Sequence, residues 1–208
     1  MKGLIKKLLR EGLNINEARY DQSNLSQDIG LFVINNGNTI VLYDMAEYDD
    51  SERIRGIKGT ITISNNGNNF SADKVAANKG YGPLMFELAM QHVYPKGIIP
   101  DRDGDIREGA LSVLDKFVNN SNGEVEVITL VPGDEGYVDC LDFGCDDNEP
   151  EFFKVYNSIL KMSNKSLYKN LKAEGKEFIG DVGKEFLKEL SSLSHEYFSM
   201  MYSQSWIY

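Results

Sequence analysis

Residues 57–93 read IKGTITISNNGNNFSADKVAANKGYGPLMFELAMQHV, and this stretch decides the fold. Ile57, Thr60, Ile61, Thr62 and Ile63 form a β-branched run that predicts a strand. Asn65-Asn66-Gly67-Asn68-Asn69 reads as a turn, and Phe70–Ala76 as the strand that returns from it. Asparagine and glycine tolerate the left-handed backbone that tight hairpins require, so these residues carry turn geometry and no chemistry. The texture changes at Asn78-Lys79-Gly80-Tyr81-Gly82-Pro83, a glycine-rich turn. Beyond it Leu84, Met85, Leu88, Ala89 and Val93 recur at helical spacing. Pro83 suits the first turn of that helix, where its missing N–H costs little.

Upstream, Leu31–Ile34 and Thr39–Tyr43 flank Asn35-Asn36-Gly37-Asn38, a second hairpin, so four strands form an antiparallel meander. Downstream, Gly97-Ile98-Ile99-Pro100 is a short buried strand, and Ile106, Ala110, Val113, Leu114 and Phe117 mark an amphipathic helix. Glu124–Leu130 is a sixth strand. A helix over Glu151–Lys161 follows, with Phe152, Tyr156, Ile159 and Leu160 inward; Asn164-Lys165-Ser166 interrupts it before Leu167–Leu171. The last helix places Phe186, Leu190, Leu193, Tyr197 and Met201 on one face, and the terminal aromatics Phe198, Tyr202, Trp206 and Tyr208 read as core sealing. The expected fold is α/β of the α+β kind: a mostly antiparallel mixed sheet of about six strands, flanking helices and further C-terminal helices. The expected division is an N-terminal amphipathic helix and linker over 1–27, an α/β domain over 28–131, an acidic segment over 132–150 and a helical extension over 151–208.

The chain has 208 residues, 22 Lys+Arg against 32 Asp+Glu, and a formal charge of −10. Residues 134–151 hold Asp134, Glu135, Asp139, Asp142, Asp146, Asp147, Glu149 and Glu151 without a single Lys or Arg. That segment carries −8, which leaves −2 for the rest (−10 less −8). The acidity is local, and the balance disfavours general nucleic-acid binding, which needs an excess of cations to neutralise phosphates. In Met1–Leu13, Leu4, Ile5, Leu8, Leu9 and Leu13 alternate with Lys6, Lys7 and Arg10 as a basic amphipathic helix, packed on its own domain or docked on a partner. It lacks the apolar stretch of a signal peptide, no run approaches a membrane span, and two cysteines fit a reducing compartment. A cytoplasmic protein without a membrane span is expected.

Most chemical motifs fail. Asp101-Arg102-Asp103-Gly104-Asp105 lacks the glycine and terminal glutamate of a calcium loop. Cys140 and Cys145 have no histidine at ligand spacing, so no metal is expected. His92 reads as a core-edge residue. No G-x-S-x-G elbow and no Walker lysine occur. The turn at Lys79–Gly82 remains. A strand, Gly-x-Gly and a helix bring backbone N–H groups and a helix dipole together, a recipe for anion binding, although a plain strand-to-helix turn uses the same residues. Lys74, Lys96 and Arg102 are supplementary cations.

This order of elements resembles the GNAT family of acyl-CoA-dependent N-acetyltransferases. In that family a meander leads to a strand, and a Q/R-x-x-G-x-G/A loop then opens a helix and holds the coenzyme A pyrophosphate. A splayed fifth strand and another helix follow. The matching residues are Ala77-Asn78-Lys79-Gly80-Tyr81-Gly82, then Gly97–Pro100, then Ile106–Val118, and the resemblance covers roughly 28–131. Lys79–Met90 with Gly97-Ile98-Ile99-Pro100-Asp101-Arg102 is also similar to uncharacterised GNAT-like proteins of tailed bacteriophages. The departures are Ala77 in place of Gln/Arg, Pro83 in place of an N–H, and no Tyr in the helix after the fifth strand. A tight hairpin also replaces the paired helices expected between the first two strands.

The resemblance implies acetyl-CoA as co-substrate, held by Lys79, Gly80, Tyr81, Gly82 and Leu84, with Asp101 as acid/base for transfer of an acyl group to an amine. A different class of function stands beside it: a non-catalytic phage protein that uses the domain as a virion or host-interaction scaffold. Such a protein would meet its partner through the basic N-terminal helix or the acidic segment.

Overall fold

The computed structural model describes residues 25, 28–49, 52–101, 108–120, 123–139 and 150–204. The expected helix in Met1–Leu13, the linker to residue 24, Arg102–Ile106, Cys140, Cys145, most of the acidic segment, Trp206 and Tyr208 lie outside them.

Among the described residues seven strands form one sheet in the order β1-β2-β3-β4-β5-β7-β6. β1 (Ile29–Ile34), β2 (Thr39–Asp44), β3 (Ile57–Asn66) and β4 (Asn69–Ala77) are the antiparallel meander. Its turns follow the chemistry of their residues. Asn35, Asn36 and Gly37 all have positive φ, and the β3–β4 hairpin closes at the Asn66↔Asn69 pair around Gly67, whose φ is +59°. β3 and β4 therefore extend further into the asparagine run than the β-branched residues indicate.

Helix α1 (Gly82–Val93) carries the chain from β4 to β5 (Ile98–Pro100), which pairs parallel to β4. The α1 residues Leu84, Met85, Leu88, Ala89 and Met90 are fully buried. Helix α2 (Glu108–Asn120) leads to β6 (Glu126–Thr129).

The helix expected over Glu151–Lys161 is not continuous. Helix α3 spans only Pro150–Tyr156, and Ser158–Lys161 is strand β7, inserted between β5 and β6. Asn157 causes the break. Its side chain accepts from Val138 N at 2.9 Å and donates to Val138 O at 3.0 Å, while its carbonyl accepts from Leu130 N at 2.7 Å. Asn157 N still donates to Phe153 O at 3.1 Å, but its carbonyl is turned to Leu130 N, and the helix ends there. Ile159 and Leu160 then enter different clusters on opposite sides of the sheet, as strand alternation requires. The stretch 151–208, read as helical, thus also supplies a strand inside the sheet, which has seven strands among the described residues, in keeping with the expected mostly antiparallel mixed sheet of about six.

Helices α4 (Ser166–Val182) and α5 (Glu185–Gln204) complete the chain. Asn164 accepts from Ser166 N at 3.1 Å, so the expected interruption serves as the entry to α4. One face of the sheet, with Ile29, Leu31, Ile40, Leu42, Ile61 and Ile63, packs on α1 and α2. The other, with Phe32, Ile34, Val41, Tyr43 and Ile57, packs on Phe186, Leu190 and Tyr197 of α5. Helix α4 gives Tyr168 and Leu171 to the first cluster and Phe178 and Ile179 to the second. It crosses the β1 edge and covers a strand that would otherwise present open hydrogen-bonding groups. No helix among the described residues is long and apolar enough to cross a membrane.

Candidate functional site

The parallel pairing of β4 with β5 lasts three rungs: Phe70↔Ile98, Ser71↔Ile99 and Ala72↔Pro100. β5 ends there, whereas β4 continues to Ala77. At the same level the β3–β4 register slips, from Thr62↔Lys74 to Ile63↔Ala72, which leaves Asp73 as an extra residue. Such a bulge bends its strand and increases local twist, and here it coincides with the point where β4 leaves β5.

The glycine turn stands at the carboxyl end of β4. Asn78 N donates to Lys58 O at 2.9 Å and Tyr81 N to Asn78 O at 3.0 Å, which fixes the turn at both ends. Gly80 has φ +93°, and a side chain there would meet no atom within 4 Å, so the position needs glycine for conformation and not for space. Tyr81 precedes the first residue of α1 and supplies no side-chain cap. Among the described residues the amides of Lys79, Gly80 and Gly82 make no hydrogen bond. The turn therefore offers N–H groups beside the positive end of a helix dipole.

The anticipated site residues divide. Lys79 and Gly80 are exposed at the turn. Tyr81 is half-buried and packs against the main core cluster, and Leu84 is fully buried, so its side chain is core and not a cofactor contact. Asp101 is half-buried and follows β5 directly, level with the Asp73 bulge. The four steps of β4 from Asp73 to Ala77 span roughly 13 Å, which separates the carboxylate from the glycine turn along the sheet.

Two supplementary lysines lie elsewhere. Lys96 donates to Gly67 O at 3.4 Å and sits over the Phe70 ring, at the opposite end of β4 from the turn. Lys74 approaches Phe198 of α5, on the face away from α1. Arg102 lies outside the described residues.

Polar residues on α1 carry a different message. His92 Nε2 is 3.0 Å from Gly37 O, which can only accept, so Nε2 bears the proton and Nδ1 accepts from Tyr168 Oη at 2.8 Å. Burial holds the His92 imidazole below its usual pKa, with Lys172 and Lys165 acting in the same direction. Gln91 accepts from Tyr168 N at 3.1 Å. These two residues join α1 to the first turn of α4, and the sequence signal for them is a polar pair interrupting an apolar helix. Among the described residues no group of three His, Cys, Asp or Glu is placed to hold a metal ion.

The chain matches no protein-family model, no curated protein and no solved structure.

Proposed function

We propose that the protein is a GNAT-like acyltransferase that binds acyl-coenzyme A and passes its acyl group to an amine. The observation that carries this reading is the three-rung β4–β5 pair opening at the Asp73 bulge, with the Gly80–Gly82 turn at the same end. The turn amides and the α1 dipole receive the pyrophosphate. The distance from the turn to Asp101 suits a long extended arm such as pantetheine, which leads the thioester to the splay.

There, backbone N–H groups polarise the thioester carbonyl. The amine attacks the carbonyl carbon, a C–N bond forms and the C–S bond breaks. Asp101 takes the proton that the amine loses, and coenzyme A leaves as the thiolate, protonated by solvent. Calorimetry with acetyl-coenzyme A tests the binding step: Gly80→Val, which removes the positive-φ conformation, should weaken it about tenfold or more. Absence of binding to the unaltered protein at millimolar ligand would sink the proposal.

A second reading, a non-catalytic GNAT-like scaffold, draws support from α2. Its buried positions Leu114, Phe117 and Val118 offer no hydroxyl to protonate a thiolate. Tight acetyl-coenzyme A binding without transfer to any of a panel of amines would favour it.

A further inference from the structure

We propose that the outer edge of β6 is a docking site for an extended basic segment of a partner protein, which adds to the sheet as a further strand. The inference is independent of the acyl-coenzyme A reading, because this edge lies at the other end of the sheet from the meander.

The two edges of the sheet differ. β1 is crossed by α4, whereas no described strand pairs with the outside of β6. The direction of each β6 peptide group follows from one bond: Leu130 N donates to Asn157 O at 2.7 Å, on the β7 side. In an antiparallel ladder these groups alternate, so Glu126 and Ile128 also turn to β7, while Val127, Thr129 and Val131 turn away. Val131 bears out the parity. Its N–H donates to Asp134 Oδ2 at 2.9 Å, and its carbonyl accepts from Asp134 N at 3.0 Å. The turn to Asp134 therefore closes the edge at Val131. The outward N–H and C=O groups of Val127 and Thr129 make no hydrogen bond among the described residues. Open backbone groups in a row are what strand addition uses.

The side chains beside this edge choose the occupant. Glu124, Glu126 and Ile128 alternate onto one face; the two glutamates are exposed and Ile128 is half-buried. Past the other end stand Asp134 and Glu135, also exposed. Asp134 is bonded to Val131 N and Glu135 to Asn68 Nδ2, which are neutral donors and not cations. The nearby lysines offset only part of this charge. Lys154 donates to Asn119 Oδ1 at 2.6 Å, and Lys161, opposite Glu126 on β7, forms no ion pair with it. A negative balance remains around the open groups.

A second copy of the chain fits worse. In antiparallel self-pairing, the Glu124 and Glu126 end of one copy would meet the Asp134 and Glu135 end of the other, and like charges across strands repel. A strand with lysines opposite Glu124 and Glu126 and an apolar residue opposite Ile128 gains charge complementarity, apolar contact and backbone bonds together.

Fluorescence anisotropy on the full chain with the labelled peptide Thr-Ile-Thr-Lys-Thr-Lys tests the site. Laid antiparallel to residues 124–129, this peptide sets its lysines opposite Glu124 and Glu126 and its isoleucine opposite Ile128. It should bind, and Thr-Ile-Thr-Glu-Thr-Glu should not. Thr129→Pro removes an outward N–H and no β6–β7 bond, so it should weaken the lysine peptide about tenfold or more with the melting temperature unchanged. Glu126→Gln should weaken the peptide about threefold and reduce its salt dependence. The lysine peptide N-methylated at every amide keeps its charge and loses its donors. It should bind the unaltered chain about tenfold more weakly, an arm that holds even where proline disturbs the fold. Acetyl-coenzyme A binding should be indifferent to Thr129→Pro, so failure of either proposal leaves the other standing. No anisotropy change at millimolar peptide, equal binding of the glutamate or the N-methylated peptide, or a concentration-dependent dimer that Thr129→Pro disperses would each overturn the assignment.

Discussion

Tyr197 Oη donates a 2.8 Å hydrogen bond to Asn78 Oδ1, so the last helix is tied to the residue that opens the glycine turn. The phenol is 2% exposed and its ring belongs to the α5 side of the core. Tyr197→Phe keeps the ring and removes the donor, leaving the Asn78 carbonyl without it. We expect a loss of about 1 kcal/mol in urea unfolding with the fold intact. An unchanged midpoint would mean that the turn is held by its backbone bonds alone.

High pH should expose the same tyrosine. Burial pushes the hydroxyls of Tyr43 and Tyr197 up to about 12, from 10.0. Between these values the unfolded chain releases protons that the folded protein retains. The stabilisation is therefore full below pH 10 and is lost as pH rises toward 12. Denaturation series across that window should show a shallower decline for the Tyr43→Phe, Tyr197→Phe double variant than for the unaltered protein.

Acid acts through His92 with the opposite sign. Its imidazole is held below 6.5 in the folded state, so the unfolded chain binds the proton first. The contribution of His92 is complete above pH 6.5 and declines as pH falls toward the folded value. Replacement by Gln, which keeps a donor near Gly37, should lessen that decline. Parallel acid limbs for variant and parent would refute the role.

Gly30 and Gly175 let α4 lie directly on β1. A Cβ at Gly175 would stand 2.6 Å from Leu31 O, and the obstacle is backbone, which cannot rotate away. Gly175→Ala should cost about 1–3 kcal/mol. Gly180 in the same helix meets nothing within 4 Å, so Gly180→Ala should instead stabilise by about 0.5–1 kcal/mol. Thermal unfolding of the two variants separates close packing from helix propensity.

The meander was legible because its information is local. Asn35, Asn36, Gly37 and Gly67 adopt the positive φ that their types favour. The glycine turn and Pro83 announced α1 for the same reason. β7 was not legible: Ser158–Lys161 is four residues long, and its break from α3 depends on Val138, nineteen positions before Asn157. Lys74 and Lys96 were misplaced because a lysine's location on a sheet depends on register and on the Asp73 bulge, which no composition reveals.

The short β4–β5 pairing also decides how the molecule carries load. Three parallel rungs, followed by the Ile98↔Leu160 contact, are the hydrogen-bonded path from the meander to the β7–β6 ribbon. By contrast, β3 and β4 share eight paired positions. Force drawn across the sheet concentrates on that narrow seam, and a probe pulling at β1 and β6 should part it before any rung of the meander yields. Whatever enters the opening at Asp73 would press on a three-rung seam that adjoins the single Ile98↔Leu160 pair.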